Sequence, residues 1–348
     1  MIFIHPTNRK RLIQFKKIKR GYYSLILIFL LVFAALFFEL LINNRAVVVS
    51  YNGNLYFPTY SDIKPGKTFG LDYHYETNYR QLKESFNNSP NNWLMMPLIP
   101  YNPYENDFSL KGNPPNPPDY RSLHLLGTDN SGRDILARLL YGFRVAIFFS
   151  FALYVFNSIF GIFVGCLMGY FSGKFDIIMQ RIVEVWTSIP ILYLIIIMAA
   201  LITPSPIMLL AILIFAGWTD MTWLMRAEVY REKSRQYCEA ARSMGAGHLR
   251  IIVKHLLPNS MVPIIARFPF QMVGGIGALT SLDYLGYGLP IPTPSWGELL
   301  NQGQKTFDYA PWILLSPAVA TIIVLLLFTF IGEGIRESFD PKKVILYE

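Results

Sequence analysis

Six long apolar stretches, separated by polar segments, dominate the pattern of this chain. A helix needs roughly 20 apolar residues to cross the roughly 30 Å of hydrocarbon in a bilayer. Backbone groups in lipid must be paired within their own segment, so single runs of this length form helices. The sequence therefore predicts six transmembrane helices, at about residues 22–43, 143–171, 177–202, 207–224, 262–280 and 311–331.

The polar segments differ in their content of Lys and Arg. Successive polar segments lie on opposite sides of the membrane, so they fall into two groups. The group that includes both termini holds nineteen Lys and Arg residues, and the other group holds ten. Most of those ten lie in one long segment, and long segments count little toward orientation. The positive-inside rule then places both termini in the cytoplasm. The apolar run that starts at Tyr22 is longer than a signal-peptide core of about 7–15 residues and lacks a small-residue cleavage site, so we predict a retained anchor.

Composition supports a membrane protein. The chain has 348 residues, of which 53% are hydrophobic and 16% charged, whereas soluble proteins carry about 25% charged residues. The net charge of +8 comes from basic residues that flank apolar spans, which indicates a membrane surface and not nucleic acid. The five histidines show no metal-ligand spacing, and no nucleophile motif occurs. We therefore expect no catalytic residue, metal or cofactor in this chain.

The segment at 44–120 is expected outside the cytoplasm, between the first two spans. It is rich in Tyr, Asn and Pro, and residues 47–51 and 55–60 predict a short hairpin around Asn52-Gly53. Two interpretations remain open. The segment is a small, partly irregular insert, or it is a docking surface or lid over the mouth of a translocation pathway, and the two do not exclude each other.

Several charges lie in or near the predicted spans, namely Arg144, Arg181, Glu184, Asp220 and Arg267. Charges at membrane depth usually face a cavity or a partner. Arg181 and Glu184 are three residues apart and can instead form a simple ion pair. Glu184 and Arg267 are the candidates for a pathway or gating role.

The polar segment between the fourth and fifth spans has a distinctive pattern. Good helix formers precede Gly245-Ala246-Gly247, which interrupts the helix. A second helix then carries Leu249, Ile252, Val253 and Leu256 at the spacing of one apolar face, and Pro258 ends it or begins the next element. The pattern alone equally suits a basic helix lying on lipid headgroups.

This stretch resembles the Glu-Ala-Ala loop of the membrane subunits of ABC importers. The residues in register with the family pattern are Glu239, Ala240, Ala241, Gly245, Leu257 and Pro258. His255 is typical of the peptide-importer branch, while Gly247 stands where that branch often has Ser or Thr. The resemblance implies that these residues form a coupling helix that fits a groove on a separate ATPase subunit.

Two further strings are similar to the same branch. One runs from Leu126 through Asp134 and reads Leu-Gly-Thr-Asp-Asn-Ser-Gly-Arg-Asp, where Thr128 and Asp129 are expected to cap the following helix. The other begins at Ser281 and reads Ser-Leu-Asp-Tyr-Leu-Gly-Tyr-Gly-Leu-Pro, with Pro-Ser-Trp-Gly soon after it. The second string, together with the long insert, looks most like permeases of microcin C-type peptide importers.

The resemblance implies an all-α membrane protein with six transmembrane helices, cytoplasmic termini and a large extracytoplasmic insert. Its expected segments are a basic amino terminus, a first span, the insert, a permease core and a cytoplasmic tail, at residues 1–21, 22–43, 44–120, 121–334 and 335–348. The core contains five spans and the coupling loop at 225–260.

The implied function is import of peptides or peptide-like compounds across the bacterial inner membrane. The expected partners are a second permease, cytoplasmic ATPases that use ATP and magnesium, an extracytoplasmic solute-binding protein and membrane lipid. Within the family, nickel or another small solute is the alternative cargo. A stand-alone secondary transporter is the rival from another class; it predicts inverted repeats and midplane charges and has no use for a coupling loop.

Overall fold

A computed structural model of the chain describes residues 6–87, 91–110, 112–202 and 204–339. Four helices in this part are long and apolar enough to cross a membrane, or up to six spans are present if each of two bent helix pairs counts as one. These findings confirm the prediction of a mostly helical chain with several apolar spans. The count of six and the orientation of the termini stay predictions.

The long helices extend beyond the predicted spans because polar turns continue them past the apolar stretch. They are α5 (Ile135–Phe171), α8 (Pro206–Lys233), α11 (Leu257–Tyr284) and α13 (Pro311–Phe339). Two shorter helices, α9 (Gln236–Ser243) and α12 (Trp296–Lys305), lie in the connecting segments.

The first predicted span is divided. A basic helix α1 (Pro6–Lys17) meets α2 (Lys19–Ala35) at 95°, and the short helix α3 (Phe38–Leu41) follows. The prediction of one helix over 22–43 is thus wrong at its carboxyl end. There the chain tightens into i→i+3 hydrogen bonds at Leu36 and Phe37, and Glu39 pairs with Arg144 at 2.6 Å.

The third predicted span is divided as well. α6 (Gly173–Thr187) and α7 (Ile191–Leu201) form a pair bent by 62°. Pro190 explains the break, because proline disfavours helical backbone at the residue before it and has no N–H to donate. The apolar run continues through this site, so hydropathy alone joins the two helices.

The chain forms two compact units. The first contains the described residues up to Ile28, with Ala146–Pro290 and the described residues from Ile323 onward. Gly161, Gly165 and Gly169 are four residues apart in the sequence, a spacing that predicts one small-residue face on α5. In this unit that face packs directly on α8, where a Cβ on Gly161 or Gly165 would lie 2.7 Å or less from a backbone oxygen of that helix. The small residues therefore allow the close helix approach that their spacing predicts.

The second unit contains Phe29–Val145 and Ile291–Ile322 and includes the insert. Its strands are β1 (Val48–Tyr51), β2 (Asn54–Tyr56) and β3 (Trp93–Met95). They form an antiparallel sheet in the order β2-β1-β3. Asn52 and Gly53 have φ of +48° and +80°, which confirms the predicted hairpin turn.

The insert has its own small core. Ala46, Val49, Phe69, Tyr79 and Leu82 are buried together. Two short elements supply part of it, a 3₁₀ helix at Gly66–Phe69 and α4 (Tyr79–Phe86), whose amino terminus is capped by the Asn78 side chain. The insert thus contains a folded core, and its docking or lid role stays a prediction.

Candidate functional site

The segment that joins α8 to α11, here called the coupling segment (residues 236–259), turns sharply after α9. Gly245 adopts φ of +79°, a left-handed conformation that costs glycine little. Its N–H donates to Arg242 O at 3.0 Å, and the N–H of Ala246 donates to Ala241 O at 3.0 Å. Together these two bonds form a Schellman motif, which satisfies the last carbonyls of the helix.

One side of the coupling segment is anchored in the first unit. Cys238 and Ala241 of α9 are buried together with Ile251 and Leu256, which follow the turn. The same cluster includes Met225 and Val229 of α8 and Cys166 and Tyr170 of α5. Because the turn is packed against two long helices, a force on the segment acts on those helices.

The other side of the coupling segment is exposed. Met244, Leu249 and Val253 are 82%, 75% and 54% exposed, and Glu239 and Ala240 are exposed beside them in the chain. Large apolar side chains on a polar surface are typical of protein interaction sites. This surface is the candidate contact for an ATPase subunit.

The helix after the turn differs from the prediction. A short α10 (His248–Arg250) leads into a π-helical stretch (Ile251–Leu256), and the helix continues without a break to Tyr284. The predicted apolar face is wrong, because residues five apart align in a π-helix. Ile251 and Leu256 are therefore buried together, while Leu249 and Val253 are exposed.

The structure brings the seven predicted coupling residues into this one folded segment. Glu239, Ala240, Gly245 and Pro258 are exposed, His255 and Leu257 are half-buried, and Ala241 is buried. Pro258, which has no N–H to donate, lies just after the π-helical stretch and does not end the helix. The coupling role of these residues stays a prediction.

A buried ionic network lies at the amino terminus of α5. Arg133 Nε donates to Asp129 Oδ2 at 2.7 Å, and its Nη2 donates to Glu298 Oε1 at 2.9 Å. Arg138, whose side chain is fully buried, donates to the other carboxylate oxygen of Glu298. The string that contains Arg133 and the later string around Trp296 are therefore parts of one structure.

The capping residue of α5 is not the predicted one. Asp134 Oδ1 accepts a hydrogen bond from Ala137 N at 2.7 Å, which is the geometry of a helix cap. Thr128 Oγ1 accepts instead from Asn116 N, and Asp129 Oδ1 from the N–H groups of its own turn. The assignment of Thr128 and Asp129 as caps is therefore wrong.

A histidine that the sequence reasoning missed connects the insert to this helix. His124 is fully buried, with Nδ1 2.8 Å from Asp134 Oδ2 and Nε2 3.3 Å from Asp107 Oδ2. Burial lowers its pKa, but hydrogen bonds with Asp107 and Asp134 outweigh burial and raise the pKa above 6.5. The bond with His124 holds the pKa of Asp107 well below its usual range. His124 thus lies between two acidic side chains, an arrangement that favours the protonated imidazole.

The string that begins at Ser281 forms a turn, and Trp296 after it packs against α5. Asp283 Oδ1 accepts from Leu289 N at 2.6 Å, and a Cβ on Gly288 would overlap the Asp283 side chain. Trp296 Nε1 donates to Leu139 O at 2.9 Å, and its ring lies 2.9 Å from where a Cβ on Gly142 would be. These contacts explain why glycine and tryptophan stand at these positions.

The two gating candidates lie in different settings. Glu184 accepts a hydrogen bond from Arg181 Nη1 at 2.6 Å in an exposed ion pair, which is the simple pairing that their spacing predicts. Arg267 lines an open cavity of about 590 Å³ together with Asp220, Gln271 and Arg336. Asp220 and Gln271 also line a second cavity of about 390 Å³, so the two cavities share a polar wall in the first unit. This wall is the candidate pathway surface.

Residues 161–345 match the family model described as "Binding-protein-dependent transport system inner membrane component". The match covers more than half of the chain. The chain belongs to this family of inner-membrane transport components.

The family assignment agrees with similarity to curated proteins. The chain is 34% identical to the "Peptidoglycan transport system permease protein YejE" of Agrobacterium fabrum, over 97% of this chain and 94% of that protein. It is 37% identical to the "Inner membrane ABC transporter permease protein YejE" of Escherichia coli, over 98% and 99%. It is 32% identical to the "Oligopeptide transport system permease protein OppC" of Bacillus subtilis, over 63% and 72%.

The chain is thus a permease subunit of a binding-protein-dependent ABC importer of the inner membrane. Sequence reasoning missed four ionisable side chains of this permease that lie in buried or ion-paired sites. His124 lies two residues before the Leu126 string, and a search for polar residues beside a motif could have found it. Asp107 and the Asp176–Arg226 pair, 2.6 Å apart, carry no local signal because their partners are distant in sequence.

Proposed function

We propose that this permease imports peptides or peptide-like compounds as one of two related membrane subunits. The observation that carries the proposal is similarity over nearly the full chain, insert included, to a permease named for peptidoglycan transport. Permeases named for oligopeptides and dipeptides match about two thirds of the chain. Peptidoglycan contains short peptides, so the same chemical class links these names.

ATP hydrolysis by separate subunits drives the transport, and the coupling segment receives the motion. Its exposed Met244, Leu249 and Val253 enter a groove on the ATPase, while buried Cys238 and Ile251 pass the displacement to α5 and α8. The result is rigid rocking between two states. ATP binding must favour one state by several kcal/mol to shift the population fully.

In the proposed orientation both termini and the coupling segment are cytoplasmic, and the insert is outside. The insert docks the solute-binding protein or covers the mouth of the pathway. The polar wall around Asp220, Arg267 and Gln271 faces the second permease, because an open polar surface within apolar helices needs a protein or aqueous partner.

An uptake assay with a peptide library tests the function. A strain that lacks this gene, with and without a plasmid copy, is supplied with a library of short peptides, and accumulated peptides are identified by mass spectrometry. We expect a subset of peptides to accumulate only with the plasmid copy, and an ATPase-dead partner subunit to abolish this accumulation. Equal accumulation in both strains would exclude peptide import.

Nickel transport within the same family is the second candidate. It predicts that radioactive nickel uptake, and not peptide uptake, depends on the gene. A stand-alone transporter predicts uptake that persists without the ATPase subunits. Neighbouring reading frames that encode an ATPase, a second permease and a secreted binding protein would argue against the stand-alone alternative.

A further inference from the structure

The amino-terminal helix α1 is held at a fixed angle to α2. The two helices meet at 95°. Phe15 is buried at the corner, and a Cβ added to Gly21 would lie 3.2 Å from the Cα of Gly334 on α13. This close crossing ties the corner to the carboxyl-terminal end of α13.

Charged and aromatic contacts hold the same corner. Arg20 Nη2 lies 3.4 Å from Glu333 and 3.2 Å from Glu337, both on α13. The guanidinium of Arg11 lies 4.5 Å from the ring centroid of Phe339. α1 is therefore a braced arm and not a free tail.

The exposed part of α1 combines apolar and basic side chains. Leu12 and Ile13 are 51% and 49% exposed. Lys16 and Lys17 of α1, and Lys19 at the start of α2, are exposed beside them. No Asp or Glu precedes Glu39 in the sequence. A surface of this kind is complementary to a bilayer interface with anionic headgroups, where apolar side chains enter the acyl boundary and lysines meet phosphates.

We propose that α1 binds anionic phospholipid headgroups in the cytoplasmic leaflet and anchors this end of the permease in the membrane interface. The proposal rests on the orientation proposed above, in which α2 crosses the bilayer and its basic end is cytoplasmic. A helix at 95° to a membrane-crossing helix lies close to the plane of the surface. Each lysine at such a surface strengthens binding by roughly fivefold at low salt, and the effect is screened at high salt.

Lipid contact is measured on the assembled importer in nanodiscs. Ile13→Cys is labelled with a fluorescent probe, and the unsubstituted chain serves as the blank because Cys166 and Cys238 are buried. Quenching by nitroxide-labelled phosphatidylglycerol is compared with quenching by the same amount of nitroxide-labelled phosphatidylcholine. We expect phosphatidylglycerol to quench at least about twofold more strongly at low salt, and the ratio to approach one in high salt.

A matched pair of triple variants isolates the charges. In the Ile13→Cys chain, Lys16→Gln, Lys17→Gln and Lys19→Gln together should bring the quenching ratio to about one. Lys64→Gln, Lys67→Gln and Lys83→Gln, three lysines of the insert, should leave it unchanged. An impermeant thiol reagent that does not reach Ile13→Cys in intact spheroplasts verifies that the arm stays cytoplasmic.

Three outcomes would overturn the proposal. A quenching ratio of one in the Ile13→Cys protein with its native lysines would show that the arm does not prefer anionic lipid. An unchanged quenching ratio in the variant with Lys16, Lys17 and Lys19 replaced would show that these lysines do not bind it. The third outcome is that neither lipid quenches the probe and that the ATPase subunit no longer co-purifies with the triple-lysine variant. This outcome would show that the arm contacts protein instead. Since quenching does not depend on cargo, failed peptide uptake with an intact quenching ratio would refute the proposed function alone.

Discussion

His124 Nδ1 lies 2.8 Å from Asp134 Oδ2, and the same carboxylate caps α5 through its other oxygen. The second imidazole nitrogen lies 3.3 Å from Asp107, a residue of the insert. A single buried ring therefore joins the insert to the first turn of a long helix. Tyr101 stacks on the imidazole, with the two ring centroids 3.9 Å apart. The Arg80 guanidinium also lies over the Tyr101 ring and pairs with Glu105 at 2.6 Å.

This relationship predicts a pH dependence of stability. The pKa of His124 is raised above 6.5 in the fold, so its contribution is complete below about pH 6.5 and is lost as pH rises through the folded-state pKa. We expect the thermal midpoint of the purified permease to fall between pH 6 and pH 9 by more than that of His124→Gln. Differential scanning fluorimetry on both proteins measures it, and parallel pH curves for the two would rule out the imidazolium.

Asp107 remains ionised across that range, because its bond with His124 holds the pKa of this carboxyl well below its usual range. Asp107→Asn should therefore remove one of the two carboxylates and reduce the same pH difference. Asp119→Asn is a suitable control, since that carboxylate is near in sequence but bonds to its own turn.

The Glu298 carboxylate neutralises two arginines, and its loss should destabilise the second unit. Arg138 is fully buried, so Glu298→Gln would leave two arginines, Arg133 and Arg138, to share the single carboxylate of Asp129. Breaking a buried pair from one side costs about 3–5 kcal/mol. We expect faster thermal inactivation of the variant in detergent, measured as loss of the monodisperse peak in size-exclusion chromatography. Glu84→Gln, on the exposed face of α4, should behave as the unsubstituted protein.

Gly245→Val tests the coupling segment. Its φ of +79° disfavours a β-branched residue by about 1–2 kcal/mol. A Cβ added to Gly245 would meet no heavy atom of another residue within 4 Å, so backbone strain and not a clash within the chain is the cause. We expect intact membrane insertion, reduced co-purification of the ATPase and loss of uptake.

Gly247→Thr is the matched control for Gly245→Val. Gly247 has φ of −66°, which threonine adopts readily, and its position at a helix amino terminus suits a hydroxyl cap. The two substitutions add side chains of similar size two residues apart. If Gly245→Val retains the ATPase and full uptake, the coupling assignment is incorrect and the segment is a membrane-surface helix.

Topology is testable with thiol labelling, but Cys238 is a poor reporter. It is 1% exposed and burial raises its thiol pKa, so it reacts slowly on either side of the membrane. Met244→Cys, at a position that is 82% exposed, serves instead. An impermeant reagent should label Lys83→Cys in intact spheroplasts and should label Met244→Cys only after lysis. The reverse pattern would invert the proposed orientation.

A deletion within the insert tests its role, and the structure shows where the chain can be rejoined with little disturbance. Val47 N donates to Met95 O at 2.8 Å, so the ends of residues 48–95 are adjacent and a short Gly-Ser link can replace that part. The deletion keeps Asp107, His124 and Asp134. We expect an assembled complex with reduced uptake and weaker affinity for the solute-binding protein, measured by surface plasmon resonance. Undiminished uptake would mean that this part is a spacer.

Local patterns in the sequence accounted for the helical membrane class and for several contacts. Apolar run length indicated the spans, the spacing of Gly161, Gly165 and Gly169 indicated a close helix crossing, and Asn52-Gly53 indicated the hairpin. The glycine after α9 indicated a turn, and Gly245 takes the conformation that glycine permits at low cost. These features succeed because each depends on residues within a few turns of each other.

Local sequence patterns were sufficient to predict the class of the protein, its long apolar stretches and the turn after α9. Tertiary structure alone decided that the helix after the turn contains a π-helical stretch, which changes the face that Leu249 and Val253 occupy. It also decided that His124 meets Asp107 and that Arg138 meets Glu298, at separations of 17 and 160 residues. Hydropathy and periodicity describe neighbours along the chain, whereas buried charges are stable only beside partners that folding brings from elsewhere.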